Sequence, residues 1–180
     1  MAMANNLSSG VRARRKQLIT VAAWGTVTSG TEEHREILGI RTEDSSIELN
    51  PDTETTTDIL GNNYTDVNKT ELQQDFDPFF VIGGSALVDL LNEAILSNNP
   101  DAYTNCFTIY VITAYISETT TGQTPETYYR AVKHENCSII PTSLGGDSYV
   151  SMPVEVHFSN KLTMGKVDGL TSEFGFTADT

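Results

Sequence analysis

The sequence predicts a mainly β fold with one flanking α-helix, and three observations carry that expectation. Thr is the commonest residue type, with 24 among 180 residues, and β-branched side chains suit strands better than helices. Only one segment, residues 85–97, has convincing helical periodicity, whereas several segments alternate apolar and polar residues with the period of a strand. The length of 180 residues fits one domain with its own core. The reading is therefore a basic, flexible N-terminal arm over residues 1–17 and a single β domain over residues 18–180.

Each element follows from local pattern. Arg12, Arg14, Arg15 and Lys16 precede an apolar run at residues 18–24, an arrangement that imitates a secretory leader. The run is interrupted by Thr20 and is too short for that role, so it is read as an exposed basic arm entering a first strand at residues 18–27. Residues 46–49 and 55–60 are thin, Thr-rich strands around Asn50-Pro51-Asp52, which has turn chemistry. Taken alone, residues 42–69 are polar enough to resemble a disordered segment. Gly83-Gly84-Ser85 precedes Leu87, Leu90, Leu91, Ala94 and Ile95, one face of a helix, with Ser85 as N-cap and Asn98-Asn99-Pro100 as its stop.

After the helix, residues 106–117 are apolar on both parities, which predicts a central strand covered on both faces. A loop over residues 119–125 and a partner strand at 128–134 follow. A second hairpin is expected between residues 138–144 and 149–158, turning at Gly145-Gly146-Asp147. Val154, Val156 and Phe158 alternate there with Glu155 and His157. Strands at residues 162–167 and around 173–176 complete the chain.

Charge separates function classes. The net charge is −13, which argues against a ligand held by clustered cations, such as DNA, RNA or an anionic lipid surface. The mean hydropathy of −0.24 argues against a membrane-spanning class. The distribution is uneven. Residues 1–41 carry six cations against three acids, while residues 42–101 carry thirteen acids and one cation, Lys69. That acidic third is either a solvated surface or a functional field.

Catalytic patterns are missing. There is no nucleophile elbow, no triad spacing and no phosphate-binding Gly-Lys-Ser/Thr, so neither an enzyme nor a cofactor is expected. Ser85 is better explained as a helix cap than as a nucleophile. Cys106 and Cys137 are read as reduced thiols, and His34, His134 and His157 lack metal-ligand spacing. Asp75 and Asp77 are too ordinary in so acidic a chain to mark a glycosidase pair.

The order of segments resembles bacteriophage major tail proteins, the tail tube subunits of long-tailed phages. The resemblance rests on PDTETTTDILGNNYTDV, on ELQQDFDPFF leading into VIGGSALVDLLNEAI, on CFTIYVITAY, and on SIIPTSLGGDSYVSMPVEVHFSNKLTMGKVDG, which together reach from residue 46 to 169. It implies a β-sandwich or barrel-like tail tube fold with one flanking helix and no enzymatic activity. Subunits of that family form hexameric rings that stack into a hollow tube, with strands of neighbouring subunits joined around the bore and with loops and arms linking successive rings. The implied partners are further copies of the chain, a tape-measure protein, a tail terminator and distal tail or baseplate proteins, with DNA as passing cargo and no membrane partner. The implied location is the virion tail, after synthesis in the host cytoplasm.

In that frame Glu48, Glu54, Asp58 and Glu155, each on the polar parity of an expected strand, are candidates for acids facing the bore. Arg12, Arg14, Arg15 and Lys16 are candidates for an inter-subunit tether, with a freely solvated tail as the competing reading. A carbohydrate-binding or adhesive β-sandwich module is the alternative function, since Thr-rich strands and polar loops suit it too.

Overall fold

The computed structural model describes residues 3–25, 34–40, 42, 45–121 and 126–179. The strands are β1 (Ala4–Asn5), β2 (Leu18–Trp24), β3 (His34–Ile37), β4 (Ile47–Glu48), β5 (Pro51–Thr57), β6 (Asn63–Thr70), β7 (Gln73–Phe76), β8 (Phe107–Thr119), β9 (Thr127–Pro141), β10 (Val154–His157), β11 (Leu162–Val167) and β12 (Phe176–Ala178). One helix, α1 (Ala86–Leu96), lies between β7 and β8, and short 3-10 turns occupy Arg15–Gln17 and Pro100–Ala102. The protein is mainly β with one α-helix.

Ten strands form one antiparallel sheet whose main path runs β3-β2-β8-β9-β10-β7-β4, with β1 added to β8 and with β11 and β12 added beside β9. Among the described residues the path is open at both ends and no closed barrel forms. Among the described residues the remaining two strands, β5 and β6, pair only with each other.

β9 is the corner of the sheet. Its first half pairs with β8 and β11, and its last four residues pair with β10. Between the halves the register slips: Ile109 faces His134, but Phe107 faces Cys137, so β9 carries one residue more than its partner. Asn136 takes that extra residue at φ 59, a left-handed conformation that Asn tolerates better than most side chains. The slip exchanges the faces of the strand. Ala131 packs on one side of the sheet with Tyr110 and Ile112, whereas Ile139, of the same parity, packs on the other side with Phe107 and Ile109.

Two cores result. The larger lies between the two halves of the sheet and α1, with Phe76, Leu87, Leu91, Phe107, Ile109, Ile139, Met152 and Val156 at its centre. The smaller covers the opposite face of β2 and β8, where Val21, Ala23, Tyr110, Ile112 and Val167 meet Phe174. Arg35 stacks over Phe174 at 4.8 Å and donates from Nη1 to its carbonyl at 2.6 Å, fastening the C-terminal segment over this core. Of the expected strand at residues 106–117, the part from Phe107 to Ala114 is covered on both faces, as its double apolar parity predicts, while Cys106 is exposed.

The helix obeys its sequence closely. Ser85 Oγ accepts from Val88 N–H at 3.1 Å, and Leu87, Leu91 and Ala94 are buried together with Val88. Unanticipated is Glu36 of β3, whose carboxylate accepts from Ser85 Oγ at 2.6 Å and from Leu87 N–H at 3.0 Å. A carboxylate there satisfies an orphan donor and complements the helix dipole.

Three local expectations change. Asn50-Pro51-Asp52 is not the turn: Pro51 opens β5, where its missing N–H is tolerated, and the chain reverses over residues 58–62 into β6. The strand expected at 55–60 therefore stops at Thr57. The hairpin expected to turn at Gly145-Gly146-Asp147 instead joins Pro141 to Val154 through a long loop over residues 142–153, in which Gly145 bridges Ser151. Ser138 begins no strand but continues β9 beyond its bulge. The strand expected at 18–27 ends at Trp24, with residues 26–27 outside the described residues, as are residues 122–125 of the expected loop.

Candidate functional site

The residues nearest to catalytic chemistry are occupied structurally. Ser85 Oγ caps α1 and is held by Glu36. Cys106 donates to the Ala102 carbonyl, and burial pushes the thiols of both Cys106 and Cys137 up, away from the reactive thiolate. His134 is buried against Phe158, with Nδ1 facing the Ser159 carbonyl at 3.2 Å, and burial pushes its pKa down. Among the described residues no group of three or more His, Cys, Asp or Glu side chains could hold a metal ion, and no helix is long and apolar enough to cross a membrane.

Two surface features stand out. The first is the outer face of the β10-β7-β4 part of the sheet. Phe76, Val154 and Val156 point into the large core, and the alternating positions point outward. Glu155 lies directly opposite Asp75, and Glu48 lies opposite Gln73, so Glu48, Asp75 and Glu155 share one face. Like charges placed opposite one another disfavour the pairing. Local donors moderate the repulsion: Gln73 Nε2 donates to Asp75 Oδ1 at 2.9 Å, and His157 Nε2 lies 3.4 Å from Glu155 Oε2.

The second feature is the β5–β6 hairpin. Every residue of β5 is exposed, and Tyr64 and Val67 of β6 are more than half exposed. Its strands are joined by polar contacts: Thr55 and Thr65 hydroxyls meet at 3.2 Å, and Thr57 Oγ1 donates to Asn63 Oδ1 at 2.7 Å. Glu54 faces Asp66, a second like-charge cross-strand pair. At the tip, Asp58 organises the turn. Its Oδ1 accepts from the N–H groups of Leu60 and Asn62 at 2.8 and 2.9 Å, while Oδ2 accepts from Asn62 Nδ2 and Tyr64 Oη. These bonds, led by that of the Asn62 side chain, hold the Asp58 carboxyl below its usual range. Gly61, at φ 82, completes the reversal. The result is an ordered turn that presents Ile59 and Leu60 to solvent, at 102% and 81% exposure.

The sequence candidates thus separate. Glu48 and Glu155 come together on the sheet face, with Asp75 between them in the ladder, whereas Glu54 and Asp58 belong to the hairpin. Of the basic residues, Arg12, Arg14 and Lys16 are exposed. Arg15 is also exposed but turns back onto the body, donating from Nε to the Ser45 carbonyl at 2.8 Å and from Nη1 to the Leu18 carbonyl at 2.5 Å. Ser45 in turn ends a buried polar chain: Thr20 Oγ1 donates to Gln74 Oε1 at 2.9 Å, and Gln74 Nε2 donates to Ser45 Oγ at 3.0 Å. Ahead of the basic cluster, Ala4 and Asn5 pair with Ser117 and Ile116 of β8. Gln74, Glu36 and the Ile59-Leu60 tip escaped the sequence reading; the adjacent apolar pair before Gly61 was the one local signal for any of them.

No protein-family model matches the chain, and no curated protein matches it. Among solved structures, the fold is similar to a chain of the six-fold symmetrised cryo-EM structure of the anti-feeding prophage baseplate, at 11% identity and a TM-score of 0.44, covering 88% of this chain and 97% of that one. It is also similar to a chain of the anti-feeding prophage cap, the tube-terminating cap, at 14% identity and a TM-score of 0.43, covering 88% of this chain and 93% of that one. At such identities and TM-scores no role passes from either to this chain.

Proposed function

We propose that the protein is a structural subunit that assembles with copies of itself into stacked hexameric rings, forming the hollow tube of a phage-type tail. The observation that carries this reading is the β5–β6 hairpin. An isolated two-stranded hairpin is marginal in water, and this one shares no backbone ladder with the main sheet. A partner that covers it removes that liability and accounts for the exposed Ile59 and Leu60. The tail-tube phrasing of residues 46–169 supports making that partner another copy of the chain.

The acidic sheet face gives the tube its electrostatic character. Glu48 and Glu155, joined by Asp75, face the bore, whereas Glu54 and Asp58 belong to the hairpin that meets the neighbouring copy. Like charge keeps passing DNA at a distance within the reach of about one Debye length, about 8 Å at physiological salt, whereas cations there would bind its phosphates. DNA is then cargo and not ligand. The tape-measure, terminator and distal tail or baseplate proteins meet the ends or the interior of the tube, in the virion tail.

Negative-stain microscopy of concentrated protein tests this function. Six-fold rings or hollow tubes are expected. A protein that stays monomeric and is retained on a glycan column is instead a carbohydrate-binding module.

A further inference from the structure

The hairpin tip has a matching surface elsewhere on the same chain. Between the start of β2 and the turn after β3 lies a groove of about 400 Å³, lined by Arg15, Lys16, Ile19, Ile37, Ile40 and Thr42 among others. Its walls are largely aliphatic, and Ile40 is 61% exposed at its edge. The charged residues among its described lining are Arg15 and Lys16, both cations, and Arg12 and Arg14 lie just before them in the chain. The hairpin has the opposite character: Ile59 and Leu60 form an exposed apolar tip, Asp58 lies beside it in the turn, and the cross-strand pair Glu54 and Asp66 lies farther back along the strands.

We infer that the Ile59–Leu60 tip of one copy docks in the Arg15–Lys16–Ile40 groove of a second copy. This rests on the proposal that the chain assembles with itself, and it names the two surfaces that meet. Charge complementarity selects the occupant: an acidic hairpin approaching a basic rim gains attraction, and two aliphatic side chains leave water as they enter. Reach permits it, because seven strand residues extend about 23 Å at about 3.3 Å each. The tip cannot be serving its own groove, since Ile59 and Leu60 stand in solvent. Tip and groove are different surfaces of one chain, so each copy can donate one and accept one. Such a heterologous contact propagates from copy to copy and does not stop at a dimer. It also gives the basic segment a task other than tethering by charge alone: Lys16 forms the rim of the socket, and Arg15 fixes the socket wall through its bonds to the Ser45 and Leu18 carbonyls.

Cross-linking tests the contact. In a Cys106→Ser background, one protein carries Ile59→Cys and another Ile40→Cys, and assembled mixtures are treated with a short bis-maleimide. The tip-to-groove dimer is expected at least about tenfold above the dimer formed when Leu96→Cys, an exposed helix position, replaces Ile40→Cys. Leu60→Asp should raise the concentration needed for assembly by at least about tenfold, since each aliphatic burial is worth more than one factor of ten. If particles form but the two cross-linking yields are equal, or Leu60→Asp assembles at the wild-type concentration, the docking is wrong while self-assembly stands. If the wild-type chain never assembles, both fall.

Discussion

The sheet body and the β5–β6 hairpin organise strands in opposite ways. In the body, β2 and β8 are apolar on both faces, and each face has its own core. Polar atoms buried there are paired, as in the Thr20–Gln74–Ser45 chain, and no buried side-chain nitrogen or oxygen among the described residues lacks a partner. The hairpin has no core. Thr, Asn and Asp hold it by hydrogen bonds that compete with water, and its large apolar side chains point outward. Body stability is therefore internal to one chain, whereas the hairpin's value lies in what it meets outside. The two can be broken separately.

The largest effect on the body is expected from Phe107→Ala, which removes a buried aromatic from the centre of the large core. Chemical denaturation should show a loss of about 3–5 kcal/mol. Gln74→Ala should cost about 1–3 kcal/mol by the same measurement, because Thr20 and Ser45 lose their buried partner. Ser85→Ala should cost about 1 kcal/mol, read as a lower melting temperature, with Glu36 left beside the helix terminus.

Acid should weaken the body in two stages. His134 is held neutral by burial, below its ordinary 6.5, so the unfolded chain takes up the proton first and stability falls as pH drops through about 6.5. Glu135 at the β9 bulge is held down to about 2 by Lys133 and Lys161, at 2.7 and 2.6 Å. Its contribution is present above the ordinary 4.5 and is lost as pH falls from there towards 2. Urea midpoints measured against pH should lose the first slope in His134→Gln and the second in Glu135→Gln. The smallest effect on the body belongs to the paired change Ile59→Asp and Leu60→Asp, within about 0.5 kcal/mol, because both side chains are largely exposed in the subunit.

The same contrast explains what the sequence discloses. Helix α1 is legible because its information is local: a 3.6-residue repeat, Ser85 at one end and Asn98 at the other. β8 and β10 are legible because burial of both faces, or of one, writes itself into residue parity. The β5–β6 turn misleads because Asn50-Pro51-Asp52 has stronger turn chemistry than Asp58-Ile59-Leu60-Gly61-Asn62, yet Asp58 closes four hydrogen bonds and wins. The β9 bulge leaves only Asn136 as a trace. Glu36 with Ser85, and Gln74 with Thr20, are separated by 49 and 54 residues, so no local pattern records them. The acidic face was visible as a charge excess, but its grouping of Glu48 and Glu155 through Asp75 depends on strand order, which composition does not encode.

Whether the β5–β6 hairpin serves contact between copies can be read from a cryo-EM map of the purified, concentrated protein. A polymer is expected in which residues 51–70 are covered by a neighbouring copy, with Ile59 and Leu60 against its residues 15–19, 37–40 and 42. Particles in which the hairpin remains solvent-exposed, or a chain that is monomeric at every concentration, would contradict it.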